Sequence, residues 1–301
     1  MPTPRNLAAI EAGGTKFVCA LSTPEGDVLA QAAFPTRTPA ETFADIADFF
    51  RAAQARHGDA VRTGLAAFGP IDLDPASPSL GCLVTTPKAG WSGTNIVRAV
   101  ASAVGAPVVA DTDVNAAALG EGLQGQATGL ANFAYVTIGT GIGVGVVLDG
   151  QLRQTFPHPE IGHLQVSRAP GDGFAGTCPF HGDCLEGLAS GPAMKARWGR
   201  AAQELAPDHP GWDMAAHYIA ALCVNLAYTL RLDRIVLGGG VMSPPFLVDR
   251  VRAGFARLMA GYALGPRAVA TETFIMPTAL LETSPALIGA MAMARRAAGD
   301  A

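Results

Sequence analysis

Ala8-Ala9-Ile10-Glu11-Ala12-Gly13-Gly14-Thr15 near the N-terminus and Tyr135-Val136-Thr137-Ile138-Gly139-Thr140-Gly141 further along share one form. Each is an apolar strand running into a turn of small residues. Each is followed by a second apolar strand, Lys16–Ser22 in the first case and Ile142–Leu148 in the second. The copies stand about 125 residues apart, which predicts a duplicated supersecondary unit. Gly139, Gly141, Gly143 and Gly145 alternate, a period that places them on a strand or hairpin. A dinucleotide fingerprint needs Gly-x-Gly-x-x-Gly opening a helix, and a Walker loop needs Gly-Lys-Ser/Thr; neither pattern occurs. Alternating glycines expose backbone N–H groups and permit close approach, so a phosphate is a natural occupant. Thr15 and Thr140 would add hydroxyl donors. A structural bulge explains either cluster alone equally well. The pair, with Gly238-Gly239-Gly240 after the strand Arg234–Leu237, favours nucleotide binding.

Working outward, Val28–Phe34 reads as a third strand after the turn Pro24–Asp27. Thr38-Pro39-Ala40-Glu41 has capping-box spacing with Pro at the first helical position, and Phe43, Ile46, Ala47 and Phe50 recur at helical spacing. Thr63–Phe68 and Pro107–Ala110 are short strands, and Ile96–Val104 and Val114–Leu123 are helices. The stretch Asp72–Gly93 is irregular and rich in Pro and Gly, as functional loops often are. After the hairpin turn Asp149-Gly150, the chain predicts helices at Ala193–Ala206, Met214–Leu232, Phe246–Ala260 and Ser284–Ala298, with a last strand at Ala270–Met276. The organisation expected is a lobe of residues 1–112, completed by the C-terminal helix within 284–301, and a lobe of residues 113–283.

Composition excludes several classes. The 301 residues are 49% hydrophobic and only 15% charged, as in a closely packed α/β enzyme. The net charge is −4 and no Lys/Arg run occurs, so nucleic acid is not an expected partner. No continuous apolar stretch of about eighteen residues suggests a membrane span. The apolar run Leu7–Ile10 stops at Glu11, too short for a secretory signal, which predicts a cytoplasmic protein. Five scattered cysteines argue against a disulfide framework, and Cys19 and Cys223 read as small buried hydrophobes.

Two constellations carry chemistry. Asp111-Thr112-Asp113-Val114-Asn115 sets two carboxylates at a strand-to-helix junction. One of them could cap the helix. Alternatively, Asp113 is a general base that takes a proton from an attacking hydroxyl, since phosphoryl transfer needs positioning, Mg²⁺ and a carboxylate. Cys178-Pro179-Phe180-His181-Gly182-Asp183-Cys184 gives Cys-x₂-His-x₂-Cys, with His158, Glu160 and His163 upstream. Three such ligands and one upstream His complete a tetrahedral Zn²⁺ site, with Gly173, Gly176 and Gly182 letting the loop fold. Four protein ligands close the coordination sphere, so the zinc is expected to be structural, within an insertion at 157–187.

These motifs resemble the ROK family of sugar kinases and repressors, and more closely its bacterial fructokinases. The resemblance covers nearly the whole chain. It is carried by Ile10 to Lys16, Thr85-Thr86-Pro87-Lys88-Ala89-Gly90-Trp91, Asp111 to Asn115, Gly139 to Gly143, His158 to His163 and Cys178 to Gly187. It implies a duplicated actin-like ATPase-domain fold of the ribonuclease H-like α/β type, with two lobes and a cleft between them. It implies that Gly13, Gly14, Thr15 and Lys16, with Thr140 and Gly141, hold ATP phosphates, and that Gly238, Gly239 and Gly240 lie near the adenosine. Asp113 matches the catalytic base. Glu160, His163 and Glu186 match sugar contacts, with Lys88 and Thr112 at sugar-side positions. His163 also matches a zinc ligand beside Cys178, His181 and Cys184. Pro87, Lys88 and Trp91 look like a fructokinase-type loop facing the cleft. Glu11 departs from the Asp many members carry near Mg²⁺, and Thr112 replaces an Asn common in glucose-type members, which favours the fructokinase branch.

The function implied is ATP- and Mg²⁺-dependent phosphorylation of fructose to fructose 6-phosphate by a homodimeric enzyme. A glucokinase, mannokinase or other hexose kinase of the same family is the nearest alternative. A sugar-sensing repressor would need an N-terminal DNA-binding domain, for which the strand at Leu7 leaves no room. A zinc-stabilised binding module without catalysis would not need Asp113 and both hairpins.

Overall fold

The apolar run that follows Arg5 becomes the middle of a sheet. The computed structural model describes residues 5–86, 88–262 and 270–299. In it β1 (Asn6–Ala12) pairs antiparallel with β2 (Lys16–Ser22) and parallel with β4 (Ala60–Ala67). The full order is β3-β2-β1-β4-β5, with β3 (Val28–Pro35) antiparallel to β2 and β5 (Val108–Thr112) parallel to β4. Side chains alternate across a strand. Ala8, Ile10 and Ala12 of β1 therefore share a core with Phe17, Cys19 and Leu21 of β2, Leu65 and Ala67 of β4, and the helices α1 (Pro39–His57) and α2 (Ile96–Val104). The other face carries Ala9, Ala20, Gly64 and Ala66. These small residues let the C-terminal helix (Pro285–Gly299) lie close on the backbone: a Cβ on Gly64 would stand 1.8 Å from the Ala290 carbonyl oxygen.

The chain divides into two compact units. One holds the residues up to Gly120 with Gln154–His158 and the chain from Leu280 onward; the other holds Glu121–Arg153 and Pro159–Ala279. The division falls after Gly120 and not at residue 113, because the first turns of α3 (Asp113–Gln124) pack on the C-terminal helix. A Cβ on Gly289 would meet the Ala116 carbonyl oxygen at 1.8 Å, and one on Gly120 would meet the Pro285 carbonyl oxygen at 2.1 Å.

The second unit repeats the first. Its sheet runs β8-β7-β6-β9-β10, from β6 (Phe133–Ile138), β7 (Ile142–Leu148), β8 (Gln151–Leu152), β9 (Arg234–Gly238) and β10 (Ile275–Pro277). An antiparallel β6–β7–β8 meander is again extended by two parallel strands on the far side of the central one. Two five-stranded sheets of the same order are the duplicated α/β architecture that the hairpins predicted. α4 (Leu185–Ala189), α5 (Gly191–Trp198), α6 (Gly211–Leu230) and α7 (Pro245–Met259) cover this sheet around Trp212, Tyr218, Leu222, Val251 and Phe255.

Some elements differ from expectation. The strand expected at Ala270–Met276 is a single helical turn, α8 (Thr271–Phe274), followed by the three residues of β10. The helix expected at Ala193–Ala206 stops at Trp198, where Gly199 takes a left-handed cap, and resumes as a 3₁₀ turn at Ala202–Glu204. The C-terminal helix, Pro285–Gly299, is α9. The capping box of α1 is present: Thr38 Oγ1 accepts from Glu41 N at 3.4 Å, and the Glu41 carboxylate accepts from Thr38 N at 3.2 Å.

Candidate functional site

The first hairpin is a tight turn braced from one side. Gly13 N donates to the Lys16 carbonyl at 2.9 Å, Thr36 Oγ1 donates to the Gly13 carbonyl at 2.6 Å, and Thr36 N donates to the Thr15 carbonyl at 2.8 Å. The bracing leaves Thr15 and Lys16 exposed, and space beside Gly14 open. Below the turn, the Glu11 carboxylate accepts from Ser284 Oγ. Burial lifts the Glu11 carboxyl above its ordinary value, opposed by the Ser284 hydroxyl and the Lys16 charge.

At the β5–α3 junction the buried Asp111 carboxylate collects donors. Oδ1 accepts from Thr112 N at 2.7 Å and Asn115 Nδ2 at 2.8 Å, and Oδ2 accepts from Gln154 Nε2 at 2.7 Å. Thr112 serves as the helix cap, its Oγ1 accepting from Asn115 N at 3.2 Å. Asp113, half-buried, accepts from Val114 N at 2.9 Å. The capping role open to either acid thus falls on the threonine between them.

In the second unit the Gly139-Thr140-Gly141 turn closes through Gly139 N to the Gly141 carbonyl at 2.9 Å. Gly191 N, at the start of α5, donates to the Gly139 carbonyl at 2.8 Å. β9 ends alongside, with Gly238 opposite Thr137, and a Cβ on Gly239 would stand 2.4 Å from the Ile138 carbonyl oxygen. Thr140, Gly239 and Gly240 are exposed at this edge. Glu186 joins the hairpin to the next feature: its Oε2 accepts from Ile142 N at 2.9 Å, and its Oε1 stands 3.9 Å from His163 Nε2.

His163, Cys178, His181 and Cys184 converge, with one ligand atom from each lying within 4.8 Å of all the others. His163 Nδ1 is 3.4 Å from Cys184 Sγ and 3.6 Å from Cys178 Sγ, and His181 Nδ1 is 3.6 Å from Cys178 Sγ. A tetrahedral zinc with ordinary Zn–S and Zn–N bonds sets its ligand atoms about 3.6 Å apart. The donor set and its spacing therefore fit zinc. Burial and the Cys178 thiol, with the Glu186 charge, push the Cys184 thiol up to about 11 against the Gly187 amide, so without a cation it holds its proton. Local glycines make the knot possible. Gly182 has φ +67°, and a Cβ on Gly176 or Gly187 would stand 2.0 Å from its carbonyl oxygen. Gly173, expected to help, meets nothing within 4 Å; Gly187 does the work attributed to it. Gly162 lets the turn at Ile161–His163 rest on β7, since a Cβ there would be 1.9 Å from the Ile142 carbonyl oxygen. Burial raises the Glu160 carboxyl; the His163 charge opposes this and the Glu186 charge adds to it, so the three side chains share one neighbourhood.

Two supports escaped sequence reasoning. Trp91, expected to face the ligand, is fully buried among Phe17, Phe43 and Phe68, with Nε1 donating to the Arg37 carbonyl at 2.8 Å. It anchors its loop in the core; Lys88 is three residues away, its N donating to Thr86 Oγ1 at 3.3 Å, and Pro87 lies outside the described residues. In the second unit Asp172 is locked by Arg197 Nη1 at 2.5 Å, by the Tyr218 hydroxyl and by Phe174 N at 3.0 Å, while Arg168 reaches Asp183 at 2.8 Å. No spacing rule could have found these contacts.

The sequence profile of the ROK family matches residues 7–297. The chain belongs to the ROK family. Among curated ROK relatives it is 40% identical over 295 residues to a fructokinase of Pediococcus pentosaceus, covering 98% of this chain and 99% of that one. It is 42% identical over 260 residues to a fructokinase of Zymomonas mobilis, covering 85% and 86%. Its fold matches that of a ROK hexokinase from Thermus thermophilus with TM-score 0.76 at 26% identity, over 98% of this chain and 100% of that one. It also matches a ROK glucokinase from Streptomyces griseus in complex with glucose and AMPPNP, with TM-score 0.75 at 25% identity, over 97% and 99%.

Proposed function

We propose that this ROK-family chain is an ATP-dependent fructokinase that makes fructose 6-phosphate, with Asp113 as general base. The observation that carries the sugar is the likeness, at 37–42% identity over most of the chain, to curated fructokinases. The fructose 6-hydroxyl attacks the γ-phosphorus of Mg-ATP: its oxygen–phosphorus bond forms, the bond from the γ-phosphorus to the bridging oxygen breaks, ADP leaves, and the hydroxyl proton goes to Asp113. Gly13 closes the first turn and Gly14, Thr15 and Lys16, with Thr140 and Gly141, supply donors for the phosphates it holds, and Gly238–Gly240 lie by the adenosine. Lys88, Thr112, Glu160, His163 and Glu186 hold the sugar. Cys178, His181, Cys184 and Nδ1 of His163 would hold a zinc ion, which would supply a structural tie and leave Nε2 of His163 with its hydrogen. We place the enzyme in the cytoplasm as a homodimer. Among the described residues no helix is long and apolar enough to cross a membrane.

The test is a coupled ADP-release assay with fructose, glucose, mannose and N-acetylated hexosamines. Fructose is expected to give the highest kcat/KM. Asp113→Ala is expected to lower kcat by about 10²–10⁴-fold with sugar binding retained. Absence of fructose turnover with any nucleoside triphosphate overturns the reading.

A further inference from the structure

We infer that Asp111, Asn115 and His158 form a hydrogen-bond line of fixed direction that positions the turn carrying Asp113. The starting point is the ring of donors around the Asp111 carboxyl. Asp111 receives Thr112 N, Asn115 Nδ2 and Gln154 Nε2 at 2.7–2.8 Å. Oδ1 already accepts from the Thr112 backbone N–H, which can only donate, so the Asn115 amide must turn its NH₂ to the same oxygen. Its Oδ1 is then committed to the other side, where His158 Nε2 stands 3.3 Å away. An amide oxygen only accepts, so the hydrogen of that contact belongs to His158 Nε2. Asp111 thus dictates the orientation of Asn115, and Asn115 dictates which ring nitrogen of His158 carries hydrogen.

The line does mechanical work because of where its members sit. Asp111 is the penultimate residue of β5, Asn115 is in the first turn of α3, and Asp113 lies midway between them. Asp111 and Asn115 are both buried, at 3% and 2% exposure. Gln154 and His158 bound the short return of chain that joins this unit, and both ends of that return are fastened to the same carboxylate, one directly and one through Asn115. The backbone on either side of Asp113 is therefore pinned by these side chains. Displacing a reacting group by about 1 Å costs on the order of a hundredfold in rate. His158 is accordingly a positioning residue, acting through Asn115.

This rests on the reading of Asp113 as the base. It is tested with the zinc-replete, full-length protein as wild type, His158→Met and His158→Gln. Met fills space without a donor; Gln places an N–H donor on a side chain of similar reach. His158→Met is expected to lower kcat roughly tenfold to a hundredfold while KM for fructose and ATP moves by less than about threefold. His158→Gln is expected to restore most of kcat. Equal losses in the two variants, or a loss confined to KM, overturn the inference. Nitrogen-15 spectra of the imidazoles, assigned by the signal missing in His158→Gln, give a readout independent of turnover. Hydrogen on Nε2 of His158 is expected, and the neutral tautomer bearing hydrogen on Nδ1 alone overturns the inference. A wild type inactive on every sugar overturns the kinase reading, and with it the positioning role for Asp113, while the spectra still decide the direction of the line.

Discussion

Asp172 shows how much a single side chain can carry without a motif to announce it. Burial works to raise its carboxyl, but the Arg197 guanidinium, the Tyr218 hydroxyl and the Phe174 amide outweigh that and hold it at about 2. Its side chain is 3% exposed and that of Arg197 is 8% exposed, so solvent screens the pair little. A folded-state carboxyl held below its ordinary value stabilises the protein at pH above that ordinary value. The contribution is lost as pH falls through the folded value. A carboxyl at about 2, against its ordinary 3.8, contributes on the order of 2 kcal/mol. Asp172→Asn is therefore expected to lose at least that much stability near pH 7, with the gap to wild type narrowing between about pH 4 and pH 2. Urea titrations at several pH values measure it; a gap constant across that window would remove the ion pair from the account. The residues legible in the sequence were those whose partners are near in the chain, such as Cys178, His181 and Cys184. Asp172 meets partners 25 and 46 residues away, and Tyr218 lies on an ordinary apolar helix face, so local spacing held no trace of them.

The loop from His158 to Gly187 has few regular elements: a 3₁₀ turn at Ile161–His163, an isolated bridge between Cys178 and Gly182, and α4 beginning after Cys184. Its order must come from cross-links. Three of the four proposed zinc ligands sit on this short scaffold between Cys178 and Cys184, and the fourth, His163, brings in the turn that rests on β7. Metal that binds the folded loop and not the unfolded one adds its binding energy to stability. Dialysis against a strong chelator is expected to lower Tm by several degrees, with about 2–4 °C for each kcal/mol lost. Added zinc is expected to restore it. A Tm indifferent to chelator, with no zinc by elemental analysis, would refute the structural metal. Elements with strong local signals were legible: both hairpins, and α1 with its capping box. Thr, Phe and Ile favour extended backbone, in line with the strand expected at Ala270–Met276, yet only Ile275–Pro277 finds a neighbouring strand to pair with, and Thr271–Phe274 makes a helical turn. The resemblance puts Trp91 on a loop facing the cleft; its indole is instead buried against Phe17 with Nε1 donating to the Arg37 carbonyl, contacts no local spacing announces.

At the scale of the molecule, the two hairpins disclosed a duplication that the sheets bear out strand for strand. The C-terminal helix expected to complete the first lobe, α9, covers the first sheet, and the first turns of α3 pack on α9. Nothing in the apolar pattern of Ser284–Ala298 names its partner, because one amphipathic helix looks much like another. The glycines do name it once the structure is known. Gly64 and Gly289 sit where α9 approaches β4 and α3 within the space of a single methyl group. Helix propensity alone would favour replacing Gly289 by alanine by about 0.8–1.0 kcal/mol. The new Cβ would lie 1.8 Å from the Ala116 backbone oxygen, and backbone cannot rotate away. Overpacking of this kind costs about 1–3 kcal/mol or more, so the clash outweighs the propensity gain. Gly289→Ala is expected to destabilise the protein by about 1–2 kcal/mol. Gly299→Ala on the same helix meets nothing within 4 Å and is expected to be neutral. Denaturant titration of the two variants decides the matter. Equal stability for both would mean that α9 can shift away from α3 at no cost, and that the close packing of the C-terminal helix is not what joins the two ends of the chain in one unit.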